Sequence, residues 1–146
     1  MKSRTVALML SVCIMFGLSS CRSSESAISY KEAYRYFVRN DVTDYSPRLI
    51  QSAQELNRYF GTATTMGKNG MPTNIDFSKY NVIAVIDAET NLDTKIKVSS
   101  IKKQDDRIAV KYQVVQTGSP MSYSTVPCLL LQIDKKYGSK VVFVKE

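Results

Sequence analysis

The first twenty residues combine a short basic start with a nearly uninterrupted apolar run. Lys2 and Arg4 precede the run, which extends from Val6 to Leu18. Its roughly 13 residues fall short of the about 20 that a membrane-spanning helix needs. A positive start and a short apolar run followed by small residues are typical of a secretory signal. The pattern therefore predicts a signal peptide over residues 1–20, which is cleaved from the mature chain.

Further along, the spacing of apolar residues predicts first a strand and then a helix. Aromatic and β-branched residues alternate with charged ones and favour a strand over 33–39, with a short helix from Tyr30 as the competing interpretation. Ser52 and Glu55 have the spacing of a capping box, in which each side chain bonds to the other residue's amide. The apolar residues that follow predict a helix over 53–60 that packs on a sheet.

The second half of the chain has the periodicity of β-strands. Residues 81–87 form a continuous apolar run, which predicts a central strand buried on both faces, with the helix on one side. Apolar and polar residues alternate over 94–101 and again over 107–115, which predicts a hairpin with one face in water. Two further apolar segments, 128–133 and 140–144, complete the set of strands.

These elements predict the fold class α+β. We expect a single domain over 30–146, with a mostly antiparallel β-sheet and one short packed helix, preceded by the cleaved signal segment. Residues 21–29 are polar and serine-rich and are interpreted as a flexible tether. The 126 residues that remain after cleavage are enough to bury a core.

Two irregular segments, 62–74 and 116–125, separate these elements. Gly67 and Gly70 suggest a phosphate cradle, but their spacing lacks the Walker pattern, so a covering loop or a partner contact is the better interpretation. The two segments also contain three methionines, which either fold back as gap fillers, the favoured hypothesis, or form an adaptable partner surface. These methionines are Met66, Met71 and Met121.

Charge gives little indication of a nucleic-acid partner. The chain has 20 basic and 13 acidic residues, and removing Lys2 and Arg4 with the signal leaves 18 basic residues. The densest basic positions are Lys102–Lys103 and Lys135–Lys136, each with aspartates close by. We interpret them as solvated turns, with a patch for an anionic surface or nucleic acid as the alternative. No nucleic acid is expected for an exported protein.

Residue types that carry common enzyme chemistry are scarce. The chain has no histidine, which excludes Ser-His-Asp and Cys-His catalysis and the commonest metal ligand. Cys128 opens an apolar strand and is expected to be a buried, inert thiol. We predict no catalytic residue, no metal site, no cofactor and no enzyme activity, with a histidine-free carboxylate hydrolase as the alternative. Other acidic groups, Asp105–Asp106 and Asn40, Asp41 and Asp44, are interpreted as turns rather than an acid pair or a calcium site.

The end of the signal segment, Leu18-Ser19-Ser20-Cys21, resembles the lipobox of bacterial lipoproteins. The resemblance implies that Cys21 is lipidated and anchors the chain in a lipid bilayer; an ordinary signal with a chance cysteine, or a short anchor, is the alternative. Arg22 follows in place of the aspartate that often retains such proteins in the inner membrane. The implied location is the bacterial cell envelope, at the outer membrane.

The second half of the chain contains a set of short motifs in a fixed order. They are Asp76-Phe77, the apolar strand Val82–Ile86, the lysine-dotted hairpin Lys95–Val114, Gly118-Ser119-Pro120, Thr125-Val126-Pro127 and Ile133-Asp134-Lys135. Through these motifs residues 75–144 resemble the PrcB C-terminal domain family, exported bacterial proteins named after a protease complex subunit. This resemblance implies a protein partner, with the chain acting as a protease inhibitor or a protease-complex subunit. Residues 30–74 are similar to Bacteroidetes-type lipoproteins.

These expectations combine into one functional hypothesis. The chain is predicted to be a membrane-anchored envelope lipoprotein that acts as a protein-binding module. Pro120 and Pro127 stiffen the second irregular segment, so this segment is the predicted partner-binding loop. The alternative is a structural or assembly lipoprotein of the envelope without a protease partner. The predicted contact residues are Gly118, Ser119, Pro120, Met121, Ser122 and Tyr123.

Overall fold

The structure is a computed structural model, and it describes residues 25–146. The predicted signal peptide, its cleavage site and Cys21 lie outside the described residues. Within them the chain forms ten strands, one α-helix and one 3₁₀ turn in a single compact body. In chain order these are β1 Glu25–Ala27, β2 Tyr30–Ala33, β3 Tyr36–Val38, β4 Arg48–Ile50, α1 Ala53–Tyr59, β5 Phe60–Thr62, β6 Tyr80–Ile86, β7 Asp93–Gln104, β8 Arg107–Thr117, β9 Cys128–Asp134, the 3₁₀ turn Lys135–Tyr137 and β10 Val141–Lys145.

The first sheet has the order β1-β7-β8-β10. Its centre is the predicted hairpin, in which β7 and β8 pair antiparallel around the turn at Asp105–Asp106. A β-bulge between Val98 and Ser100 shifts the register, so that Ile96 and Ile101 both point inward although Ile101 is an odd number of positions after Ile96. β10 pairs parallel with β8, and β1 pairs antiparallel with β7.

The second sheet has the order β2-β9-β6-β4 and is antiparallel throughout. As predicted, β6 is a central strand that is buried on both faces. Ile83 and Val85 point towards the first sheet, while Val82 and Ala84 point the other way. The core between the two sheets is formed by residues of both sheets, namely Ile83 and Val85 together with Ile28, Ile101, Ile108, Val110, Tyr112, Leu131 and Ile133.

A third layer covers the other face of the second sheet. It contains α1 and a two-stranded sheet of β3 and β5, which pair antiparallel. Leu56 of the helix and Phe60 of β5 are buried against Val82 and Ala84. The prediction of a mostly antiparallel fold with one short packed helix is therefore confirmed, with eight strands in two stacked sheets and the other two in the third layer.

The α1 helix ends one residue before its predicted end, and one of the two hydrogen bonds of its predicted cap has a different donor. Ser52 Oγ accepts a hydrogen bond from the Glu55 amide at 3.1 Å, as the capping box requires. Glu55 Oε2 instead accepts from the amide of Gln51 at 3.0 Å, one residue earlier than expected. The helix ends at Tyr59 because Phe60 is already extended and begins β5.

Three predictions near the N-terminus are wrong. The expected strand over 33–39 is broken at Arg35, whose φ of 67° turns the chain from β2 in the second sheet to β3 in the small sheet. No helix starts at Tyr30, which lies in β2. The tether expected over 21–29 is wrong for its described part, because β1 pairs with β7 and Ile28 is buried.

Candidate functional site

The predicted partner loop directly follows β8, at one end of the long hairpin. Gly118 begins it with a φ of 82°, a conformation that favours glycine. Ser119, Pro120, Ser122 and Tyr123 are exposed, and Met121 is half-buried. We call residues 118–127 the distal loop, because they lie at the opposite end of the hairpin from Glu25, where the described chain begins and where β1 pairs with Gln104.

The distal loop is held in place by backbone hydrogen bonds to the segment 87–92, which connects β6 to β7. The amide of Met121 donates to the carbonyl oxygen of Asn91 at 2.7 Å. Thr90 and Thr125 exchange two backbone bonds, of 2.9 and 2.8 Å, in an isolated β-bridge. These contacts fix both halves of the loop, so ordering it costs little conformational entropy on binding.

Tyr123 is the single aromatic residue of the distal loop, and 61% of its surface is accessible. It lies between the two points at which the loop is held, Met121 and Thr125. An aromatic ring displayed on a fixed backbone is the kind of side chain that dominates binding at protein interfaces. The structure therefore places the predicted contact residue Tyr123 where a partner protein can reach it.

A groove of about 450 Å³ lies beside the C-terminal half of the distal loop. Sequence reasoning missed this groove, because its walls come from three segments that are distant in the chain. Phe37 of β3 borders it and remains 46% exposed. Phe37 packs over Gly61, and a Cβ atom at Gly61 would lie 2.5 Å from the tip of the ring. The groove is also lined by Ser124, Thr125 and Val126 of the loop, by Glu89 of the neighbouring segment, and by Arg39, Val42 and Tyr45.

Acidic residues surround this end of the molecule. Arg39 forms an ion pair with Asp41 at 3.1 Å, and hydrogen bonding from Arg39 lowers the pKa of that carboxyl group. Hydrogen bonds from Ser46, followed by those from Arg48, lower the pKa of Asp44 to about 2. Both carboxylates, which were considered for calcium, thus have basic partners already. They belong to a turn, as the sequence suggested.

A second, wider groove of about 850 Å³ lies beside the segment 62–74. Tyr34 and Met71 line it and are 59% and 72% exposed. Hydrogen bonds fasten the segment to residues 34–36. They include the amide of Tyr34 to Thr73 Oγ1, the hydroxyl of Tyr36 to the Thr73 carbonyl, and Arg35 Nε to the Asn69 carbonyl. Met66 is fully exposed, so the gap-filler hypothesis is wrong for Met66 and Met71.

Cys128 is a poor nucleophile in this environment. Its Sγ donates to the carbonyl oxygen of Tyr36 at 3.8 Å, between the second sheet and the third layer. Burial raises the pKa of the Cys128 thiol to about 11, so the thiolate is scarce at neutral pH.

Asp105–Asp106 is an exposed turn, in which Asp106 binds the ammonium group of Lys140. Hydrogen bonding from Lys140 lowers the pKa of Asp106.

Comparison with known proteins gives no further indication of identity. No protein-family model, no curated protein and no solved structure matches this chain. The resemblance of residues 75–144 to the PrcB-like family therefore stays a prediction. No helix within residues 25–146 is long and apolar enough to cross a membrane.

Proposed function

We propose that this chain is a lipid-anchored protein of the bacterial cell envelope, and that its distal loop binds a protein partner. The observation that carries the proposal is the exposed ring of Tyr123 on a loop fixed by backbone bonds to Asn91 and Thr90. A loop that is already ordered loses little entropy on association, so more of its contact energy appears as affinity.

The surroundings of Tyr123 support a protein partner rather than a small ligand. Phe37, at the border of the neighbouring groove, provides a second exposed aromatic ring. Aromatic residues are enriched in the energetically important centres of protein interfaces. The groove contains the single carboxylate of Glu89, whereas hydrolysis by carboxylates needs two.

The anchor is supported by the lipobox-like sequence that ends at Cys21, and the short segment after it limits how far the domain would lie from the lipid. Glu25, the first described residue, follows Cys21 after three residues. Four extended residues span at most about 14 Å. A lipid on Cys21 would therefore hold the domain close to the bilayer, with the β7–β8 turn beside the anchor and the distal loop at the other end of the hairpin.

The kind of partner is proposed from the family resemblance alone. It suggests a protease, inhibited by the chain or joined with it in a complex. A proline-containing loop that is held in place by backbone hydrogen bonds suits an inhibitor, because preorganisation increases affinity. Pro120 and Pro127 provide that stiffness, and the Thr90–Thr125 bridge adds to it.

The test is affinity capture from bacterial envelopes with the full chain, expressed in its lipidated form and solubilised in mild detergent. Three baits are compared by quantitative mass spectrometry: the unchanged protein, Tyr123→Ala, and Tyr30→Ala as a matched control. Tyr30 is also exposed but lies near the anchor end, opposite Ile133. A partner that is lost with Tyr123→Ala and retained with Tyr30→Ala supports the proposal.

The identity of the captured protein decides between the two forms of the hypothesis. A protease as the Tyr123-dependent partner supports the inhibitor or complex-subunit role, and a non-protease envelope protein supports a structural or assembly role. Equal capture by all three baits contradicts binding through the distal loop. Recovery of the unchanged chain in the soluble fraction, without lipid on Cys21, contradicts the anchor.

A further inference from the structure

The fold brings the two Lys-Lys pairs of the sequence to the same end of the molecule. Lys103, at the end of β7, donates from Nζ to the carbonyl oxygen of Tyr137 at 2.8 Å. Tyr137 closes the 3₁₀ turn that begins with Lys135 and Lys136. Lys102 pairs with Glu25 at 3.0 Å, so this cluster also lies where the described chain begins. Lysines that are more than thirty positions apart in sequence therefore surround the point at which the anchor segment joins the domain.

Further basic side chains extend this cluster. The amide of Lys135 donates to the carbonyl oxygen of Lys79 at 2.9 Å, which places the start of β6 beside the 3₁₀ turn. Arg107 and Lys140 flank the β7–β8 turn, where both pair with Asp106. We call this region, formed by Glu25 and residues 76–79, 102–107 and 134–140, the proximal end. It contains seven basic side chains, Lys79, Lys102, Lys103, Arg107, Lys135, Lys136 and Lys140, and five carboxylates.

The opposite end has no such excess of basic side chains. Residues 37–46, 87–93 and 117–127 together contain one basic side chain, Arg39, and five carboxylates. Neighbouring basic side chains balance these carboxylates: Arg48 and Lys145 pair with Asp44 and Asp87, Arg58 lies beside Asp41, and Lys95 follows Asp93 in β7. The net basic excess therefore lies at the end where the anchor segment joins the domain.

We infer that the proximal end binds the phosphate groups of anionic phospholipids in the bilayer that holds the Cys21 anchor. The inference rests on the anchor in the proposed function. This end has two more basic side chains than carboxylates, an excess that suits an anionic headgroup surface, and the three residues between Cys21 and Glu25 keep Glu25, the partner of Lys102, within about 14 Å of the anchor. An anionic surface attracts basic residues over about a Debye length, which is near 10 Å at ordinary ionic strength.

The contact sets the orientation of the domain. The hairpin strands separate the proximal end from the distal loop by up to 12 residues, or about 35 Å at the rise of a β-strand. Headgroup binding by Lys135 and Lys136 would thus direct Tyr123 away from the bilayer, towards a partner.

Amine-reactive labelling of the lipidated full chain on vesicles tests the inference, because the chain contains its own controls. Lys135, Lys136 and Lys140 report on the proximal end, whereas three lysines on the outer face of the hairpin serve as controls. Vesicles are made of phosphatidylcholine alone or mixed with phosphatidylglycerol, and labelling is read residue by residue by mass spectrometry. The control lysines are Lys95, Lys97 and Lys111.

On phosphatidylglycerol vesicles we expect the three reporter lysines to label several-fold more slowly than on phosphatidylcholine, with the controls unchanged. Each basic residue near an anionic surface strengthens the attraction by about fivefold. Salt at 1 M, where the Debye length falls to about 3 Å, should remove the protection. Equal labelling on both vesicle types overturns the inference, as does equal protection of the control lysines.

Two charge-reversal variants and inorganic phosphate test whether the protection comes from headgroups bound at the proximal end. Lys135→Glu combined with Lys136→Glu should remove the protection of Lys102 and Lys140, whereas the charge-matched pair Lys95→Glu and Lys97→Glu should keep it. Protection by inorganic phosphate on phosphatidylcholine vesicles would overturn the inference in favour of a free-anion site. A chain that floats with neither vesicle type contradicts the anchor itself, whereas one that floats with both and labels equally contradicts only the headgroup contact.

Discussion

Arg35 donates from Nε to the carbonyl oxygen of Asn69 at 2.8 Å, and both residues have a left-handed backbone, with φ of 67° and 62°. This conformation costs an ordinary residue roughly 1–2 kcal/mol, and asparagine less. Arg35 sits at the corner between β2 and β3, and Asn69 lies in the segment 62–74. The bond thus joins two strained positions and fastens the wall of the wider groove to the corner.

Two replacements of Arg35 should separate the contribution of its hydrogen bond to stability from the cost of its strained backbone. In Arg35→Ala the hydrogen bond is lost and the strained φ remains, so we expect the free energy of unfolding to fall by about 1 kcal/mol. In Arg35→Gly the bond is also lost, but glycine adopts the positive φ without strain. We expect Arg35→Gly to be the more stable of the two by up to about 1 kcal/mol in urea denaturation. A glycine variant that is clearly less stable than the alanine variant would contradict a strained corner.

Tyr123→Ala should weaken partner binding with little effect on the fold. Truncation of a central aromatic residue at an interface typically costs 2 kcal/mol or more, which is a loss in affinity of about 30-fold. The exposed ring contributes little to the core, so we expect the free energy of unfolding to change by no more than about 0.5 kcal/mol. Titration calorimetry with the purified partner measures the first effect and thermal denaturation the second. Tyr30→Ala is the control, and a similar affinity loss in both variants would speak against the distal loop.

Substitution of Gly61 should disturb the groove beside the distal loop through Phe37. A Cβ atom at Gly61 would lie 2.5 Å from the ring of Phe37, which is half-exposed and therefore able to swing away. We expect Gly61→Ala to lower the free energy of unfolding by no more than about 1 kcal/mol, at the low end for overpacking. It should also lower partner affinity if Phe37 contributes to binding.

A double-mutant cycle of Gly61→Ala and Phe37→Ala separates these effects. Once the ring is gone, alanine at residue 61 has nothing to displace, so the affinity losses should not add. Strict additivity would show that the two residues act independently and that the contact does not position Phe37 for binding.

The stability of the protein should fall at alkaline pH in a way that depends on Cys128. The thiol's pKa is about 11 in the folded chain, against an ordinary value of 9.0. Between these pH values the unfolded chain has released the proton and the folded chain retains it. This contribution to stability is therefore full below about pH 9, decreases by about 1.4 kcal/mol per pH unit up to about pH 11, and is constant above that.

Chemical denaturation of the unchanged protein and of Cys128→Ala over this pH range isolates the effect. Tyrosine and lysine titrations contribute to both proteins, so the difference between the two curves belongs to Cys128. We expect the alanine variant to be less stable at neutral pH, because a buried atom is missing, and to lose this disadvantage as the pH rises. Parallel curves would show that the thiol is accessible to water.

Several elements were predictable because their signals are local. The α1 helix follows from the Ser52 cap, and the buried strand β6 from an apolar run that is too short and too β-branched for a helix. The β7–β8 hairpin follows from alternation on both sides of a polar turn. β4 was missed, since its three residues Arg48–Ile50 are too few to show a period and it is a strand only by pairing with β6.

The break at Arg35 shows what local patterns leave out. Tyr34, Tyr36 and Val38 alternate as a strand should, and nothing in their types indicates a corner between them. The corner exists because β2 pairs with β9 whereas β3 pairs with β5, and these partners lie in different layers. The groove beside Phe37 was equally hidden, because its walls come from three distant segments.

The sequence by itself determined the apolar signal-like start, the absence of histidine, the main strands and the composition of the distal loop. Each of these depends on residue types or on a short-range period. Tertiary structure alone decided that Thr125 pairs with Thr90, that Lys103 meets the turn at Tyr137, and that the two Lys-Lys pairs lie at the same end of the molecule. The physical reason is that long-range strand pairing and the packing of two sheets choose which distant segments become neighbours, and no local preference encodes that choice.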